Sequence, residues 1–405
     1  MKKKGLGCSK VLGIKVLSFY LFTFLLFTVC TLTGCIEEFE ADIPAEDSDL
    51  LVVEGSICSS KLNKFVLSRS QALNSSYEPR MVMGATVSVR GTDGSEYMAQ
   101  AADGYYTCWI DALAPDTEYY LHIEADGEVY ESEPQKPLRS EKIADVTGMQ
   151  DTPESDIDVL VTPEAPFNPD EPNYYSWTYD ETWEVHADYS THVYFDTEEM
   201  KRMYNANLFP KCGWRDATGA GIIVGASTSY EGQHIRRLKM YDISRQDERI
   251  HYRYSGLIHQ RAISKAEYEY ELARRQAGSE MGGLFTPQPS ALPTNIHCLT
   301  SNKHVIGYIG CSLNVSDYRF FLNADDYSVL LPQIEDARIW IDNCNEEICA
   351  QMVDKGMFLC EWEDNRISFG TLKTAWAYEY QLDVRYKGTY IEEPDFWSLE
   401  ENVSY

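Results

Sequence analysis

Two positions in this 405-residue sequence carry residue types that could do chemistry. The first is Cys35, which closes the tetrapeptide Leu32-Thr33-Gly34-Cys35. Small residues before a cysteine suit a peptidase that cuts between Gly34 and Cys35. The thiol is the nucleophile there that can take a lipid thioether, so the tetrapeptide has the form of a bacterial lipobox. Cys35 is then the expected first mature residue, with its thiol lipidated and its amine acylated. Several acyl chains anchor a protein stably, because each buried CH₂ contributes roughly 0.8 kcal/mol. The second position is Glu181, with Trp177, Tyr179 and Trp183 at two-residue spacing around it. A carboxylate among aromatic rings loses solvation, which raises its pKa. Aromatic faces beside a carboxylate also suit sugar stacking and hydroxyl recognition. These four residues are therefore the candidate ligand-binding set. A glycosidase needs a second carboxylate at a set separation. The plainer reading, a buried acid paired with an arginine such as Arg319, is the favoured one.

Other reactive patterns are absent from the sequence. No Gly-x-Ser-x-Gly elbow occurs, and Gly310-Cys311-Ser312 lacks the closing glycine. There is no His-Glu-x-x-His, Walker loop or EF-hand loop. Gly219 to Gly225 misses the dinucleotide-binding spacing and opens no helix pattern. His186 and His192 could share a face if the strand carrying them continued, but no ligand set completes a metal geometry. The sequence thus assigns no catalytic residue, no metal and no cofactor, and no enzymatic activity is expected.

Segments that would position these residues can be read in order. Lys2, Lys3, Lys4, Lys10 and Lys15 precede an apolar run from Val16 to Leu32. With the lipobox, residues 1–34 read as a lipoprotein signal peptide. The leader holds five of the 35 basic residues and none of the 64 acids, so the chain from Cys35 onward carries −34 where the whole carries −29. That surplus argues against nucleic acid, which is bound by clustered Lys and Arg. Residues 35–49, rich in Glu and Asp, read as an extended acidic tether. Eight cysteines remain beyond it: Cys58, Cys108, Cys212, Cys298, Cys311, Cys344, Cys349 and Cys360. In an exported protein they permit up to four disulfides. Cys58 with Cys108 would staple the first domain, Cys344, Cys349 and Cys360 could compete for one another, and free buried thiols are the alternative for each.

Residues 50–140 show short alternating strands between Gly- and Asp-rich turns, with Leu113-Ala114-Pro115-Asp116-Thr117-Glu118-Tyr119 resembling a tyrosine corner. The expectation is an immunoglobulin-like or carboxypeptidase-regulatory-like β-sandwich. Residues 141–405 read as a larger antiparallel β domain with one short helix. Its clearest strand runs from Tyr174 to Val185 at period two. Further strands are expected at 221–227, 249–254, 305–309, 318–322 and 375–386. Ser264-Lys265-Ala266-Glu267 is a capping box for a helix to about Gln276, with Gly278 as terminator. The prolines between Gly282 and Ile296 require a loop. The fold class is therefore mainly β.

Several short motifs fall in a familiar order: Val52-Val53-Glu54-Gly55, Gly84-Ala85-Thr86-Val87, Gly104-Tyr105, Glu181-Thr182-Trp183-Glu184, Cys212-x-Trp214, Ile263-Ser264, Gly307-Tyr308 and Pro394-Asp395-Phe396-Trp397. In that order the chain resembles a family of Gram-negative outer-membrane lipoproteins known as domain of unknown function 4249. The resemblance implies a surface lipoprotein held in outer-membrane lipid through Cys35, often linked with TonB-dependent transporters, and it implies no known activity. Relatives often carry a cysteine pair before the terminal Pro-x-Phe-Trp; Leu382 to Gly388 has none here. The leading expectation is a non-catalytic binding or accessory lipoprotein. The alternatives are a polysaccharide or peptide hydrolase using carboxylates around Glu181, and a structural adhesin or envelope-assembly component.

Overall fold

Alternation of buried and open side chains sets the sheets. In the strand Lys61–Arg69, Asn63, Phe65, Leu67 and Arg69 point inward and their neighbours outward, as a pleat of period two requires. Asn63 closes the turn before this strand: its Oδ1 accepts from the Cys58 backbone N–H at 2.6 Å, and its Nδ2 donates to the Cys58 carbonyl at 3.0 Å. The structure is a computed structural model that describes residues 49–70, 80–205, 208–279, 292–332, 335–364, 372–398 and 402–404. The leader, Gly34, Cys35 and the tether as far as residue 48 lie outside them, as does most of the proline-rich segment 282–296. Asp49–Tyr405 forms one compact unit.

The protein is mainly β, and its N-terminal part is a sandwich. One sheet orders Val305–Gly307, Leu51–Glu54, Lys61–Arg69, Tyr105–Ile110 and Gln100–Ala102. The facing sheet orders Ile296–Cys298, Glu128–Ser132, Tyr119–Ala125, Thr86–Gly91 and Glu96–Met98. Val53, Phe65, Val87, Val89, Ile110 and Ile123 fill the space between them. The tyrosine corner is present: the Ala114 backbone N–H donates to the Tyr119 hydroxyl at 2.9 Å.

Three strands of this sandwich come from far along the chain. Ile296–Cys298 pairs with Glu128–Ser132. Val305–Gly307 runs parallel to Leu51–Glu54, and Gly310–Ser312 parallel to Ser56–Cys58. A division near residue 140 leaves these strands outside the module whose core Ile296, Val305, Ile309 and Cys311 complete.

The second part is built on the strand Tyr174–His186. It lies between Cys212–Thr218 and Arg253–Ala262, and Ser316–Asn323 follows beyond the latter. A three-stranded sheet, Ile143–Met149, Ile157–Pro163 and Leu238–Ile243, adds Val146, Val159, Val161 and Ile243 to the same core. A smaller cluster around Trp376, Met352 and Leu359 joins the strands Ile339–Asp342, Leu372–Tyr378 and Met357–Asp364 to the helix Glu346–Asp354.

The capped helix is present as Lys265–Ser279, with the Glu267 N–H donating to Ser264 Oγ at 3.1 Å. The reach back by Glu267 expected of a capping box is replaced by an ion pair with Arg261. The helix Glu346–Asp354 adds to the expected one; Asn345 caps it by accepting from the Ile348 N–H at 2.9 Å. The strand expected over 375–386 ends at Tyr378. There the backbone N–H bonds Gln381 Oε1 and opens the short helix Glu379–Leu382. The strand expected over 249–254 begins at Arg253, because Asp247 caps a 3₁₀ turn over Glu248–Ile250.

Candidate functional site

The long strand Tyr174–His186 presents two faces of opposite character. Tyr175, Trp177, Tyr179, Trp183 and Val185 are buried in the core of the second part. Trp177 is wholly enclosed, and its Nε1–H donates to Gln260 Oε1 at 2.9 Å. Tyr179 stacks on Tyr241 with centroids 4.0 Å apart. These rings pack against protein, so they offer no open stacking surface to a sugar.

Glu181 lies on this inward face, 5% exposed, and is matched. Arg249 Nη1 donates to its Oε1 at 2.6 Å and the Tyr254 hydroxyl at 2.8 Å. The partner is Arg249 from the 3₁₀ turn; Arg319 instead donates to Ser255 Oγ and lies over the Phe396 ring. Arg249 also holds Asp247 at 2.8 Å. Burial weakens its charged form, but Asp247 and Glu181 outweigh that and raise its pKa. The Tyr254 hydroxyl, bonded in turn to Tyr241 at 2.7 Å, is held protonated, mainly by burial. Trp177, Tyr179, Glu181 and Trp183 do come together, as the core of the sheet.

Polar side chains occupy the other face, buried at Ser176 and Thr182 and exposed at Thr178 and Asp180. Ser176, Thr178, Asp180, Thr182, Glu184 and His186 alternate with the core residues along the strand. His259 on the neighbouring strand bridges two acids, with Nδ1 2.7 Å from Asp317 and Nε2 3.2 Å from Asp180. Burial pulls the His259 pKa down, but its bond to Asp317 and that charge outweigh burial and leave it raised.

A cavity of about 360 Å³ opens beside this face, between the sandwich strand carrying Glu54 and the helix Lys265–Ser279. Ser176, Thr178, His259, Arg261, Glu267 and Arg274 are among its lining residues. Arg261 Nη2 pairs with Glu267. The Glu267 carboxylate lies against Gly310, where any Cβ would collide with it. Burial lowers and Glu267 raises the Arg261 pKa, with a net rise. Arg261 Nη1 is buried and has no hydrogen-bond partner among the described residues. A buried donor without an acceptor is costly. Glu271, whose pKa burial raises despite Arg274, adds a second ion pair at the wall. Arg261 was not singled out from the sequence. Its signal is positional: it ends a strand just before a capping box whose glutamate it then engages.

His186 and His192 do not form a pair. His192 contacts Lys211 Nζ at 2.9 Å, and His186 contacts Glu184. The cysteines Cys58, Cys108, Cys212, Cys298, Cys311, Cys344, Cys349 and Cys360 are all unbonded. The expected Cys58–Cys108 staple is not formed: each thiol is packed as a small buried side chain. Cys344 and Cys349 lie 3.2 Å apart as thiols in the smallest core.

Comparison with known proteins places residues 36–317 under the family model described as Domain of unknown function (DUF4249). No curated protein matches the sequence. Among solved structures, a crystal structure of a Salmonella alpha-2-macroglobulin mutant aligns at 10% identity and a TM-score of 0.17. The alignment covers 88% of this chain, which spans only 22% of that one.

Proposed function

From the premise that this chain belongs to the DUF4249 family, described as a domain of unknown function, we propose that it is a non-catalytic, lipid-anchored binding protein of the outer membrane. It is displayed at the cell surface and serves as an accessory component beside a TonB-dependent transporter. The observation that carries the binding reading is the cavity of about 360 Å³ whose lining includes Ser176, Thr178, His259, Arg261 and Arg274. The lipobox ending at Cys35 and the acidic residues after it support the anchoring. The hydrolase reading loses its central residue, because Glu181 is enclosed and bonded to Arg249 and Tyr254.

The test uses the full chain in its native envelope. Wild type should incorporate labelled fatty acid, sediment with outer membranes and be cleaved by protease added to intact cells. Cys35→Ala should lose the label and leave the membrane; label retained by Cys35→Ala overturns the anchoring. A tagged chain solubilised in mild detergent should bring down a β-barrel transporter, and recovery without one favours the adhesin reading.

A further inference from the structure

Two residues on the polar face of the long strand meet one from the neighbouring strand at its far end. Glu184 and His186 are two apart, so both side chains leave the same face. Cys212 is the register partner of His186 on the antiparallel strand Cys212–Thr218, and directly opposed residues share a face. The contacts follow from that register. His186 Nε2 lies 2.5 Å from Glu184 Oε1, and the Cys212 thiol donates to the same oxygen at 3.4 Å. One ligand atom from each residue falls within 4.8 Å of the other two. The group is half-buried, with the Glu184 side chain 21% and the His186 side chain 35% exposed.

A tetrahedral zinc with bonds of about 2.0–2.3 Å sets its donor atoms roughly 3.3–3.8 Å apart. The sulfur–oxygen separation already meets that spacing, and the imidazole must withdraw from the carboxylate by about 1 Å. We propose that Glu184, His186 and Cys212 form a zinc-binding site with a fourth position open to solvent. An imidazole and a thiolate beside one carboxylate suit zinc, whereas calcium and magnesium take oxygen ligands. Charge balances at the centre: carboxylate and thiolate together neutralise Zn²⁺. On binding, the thiol proton leaves to solvent and the imidazole keeps its proton on Nδ1, which frees the Nε2 lone pair.

Tyr252 stacks on His186 with ring centroids 3.6 Å apart and holds its plane. Such outer partners fix ligand orientation in metal sites.

Purified full-length chain, dialysed against Zn²⁺ and then against buffer, should retain one zinc per chain by elemental analysis. Loading with Co²⁺ should give a thiolate-to-cobalt charge-transfer band in the near ultraviolet. Cys212→Ser should abolish that band, while His186→Gln and Glu184→Gln should sharply weaken metal retention. Thermal unfolding of the metal-free variants checks that each is folded, and any one folded ligand variant suffices for the test. Absence of retained zinc in the wild type overturns the site. So does a charge-transfer band that survives Cys212→Ser and disappears in a Cys344→Ala, Cys349→Ala double variant.

Discussion

Arg249 has two acidic partners and Glu181 has one strong cation, which makes their pairing unequal. Replacing Arg249 by Leu leaves the Glu181 carboxylate enclosed with only the Tyr254 hydroxyl. Breaking a buried ion pair from one side costs about 3–5 kcal/mol. Glu181→Gln keeps the shape and the Tyr254 bond, and it leaves Arg249 with Asp247, so the expected cost is about 1–2 kcal/mol. Urea unfolding should therefore rank Arg249→Leu well below Glu181→Gln, with the slope unchanged. Equal midpoints would contradict the structural role given to the pair. At this scale the sequence was legible in part. The two-residue alternation from Tyr174 onward separates the faces correctly, and it places Glu181 among Trp177, Tyr179 and Trp183. Alternation does not say whether an aromatic face looks to core or to solvent. Nor does it name the arginine, since Arg249 reaches Glu181 from a turn 68 positions away.

At the scale of elements, local signals worked where they were self-contained. Ser264 starts its helix because the hydroxyl needs only the amide three residues on. The alternation seen over 375–386 fails because the Gln381 and Asp383 side chains accept from the Tyr378 and Arg385 backbone N–H groups and turn the chain. The parallel pairing at the sandwich edge left no local signal, although Gly307 marks it. That residue has a φ of +146° and stands opposite Val53, whose carbonyl oxygen occupies the place of a Cβ. Gly307→Ala must distort the backbone or part the two strands, at an expected cost of about 1–3 kcal/mol. The check is chemical denaturation of the variant beside wild type. An unchanged midpoint would mean that the strand is free to shift.

The whole molecule is held together by its return strands. Residues 50–140 alone lack Ile296–Cys298, Val305–Gly307 and Gly310–Ser312, and with them part of the sandwich core. That fragment should show no cooperative unfolding transition by circular dichroism, and a peptide covering 294–313 should restore one. A cooperative transition in the fragment alone would show the sandwich to be self-sufficient. Composition predicted the β class, and turn spacing predicted the sandwich. The closing strands were not readable as sandwich strands, because nothing in Val305 to Ile309 records which edge it joins.

The Leu51–Val305 pairing also sets a timetable for the growing chain. The two partners are separated by about 250 positions, and a ribosome adding roughly 5–20 residues per second needs about 10–50 s to span them. Throughout that interval the edge strand Leu51–Glu54 exists without its neighbour. The first module therefore keeps an open edge, free to pair with other strands, until residue 312 has been made.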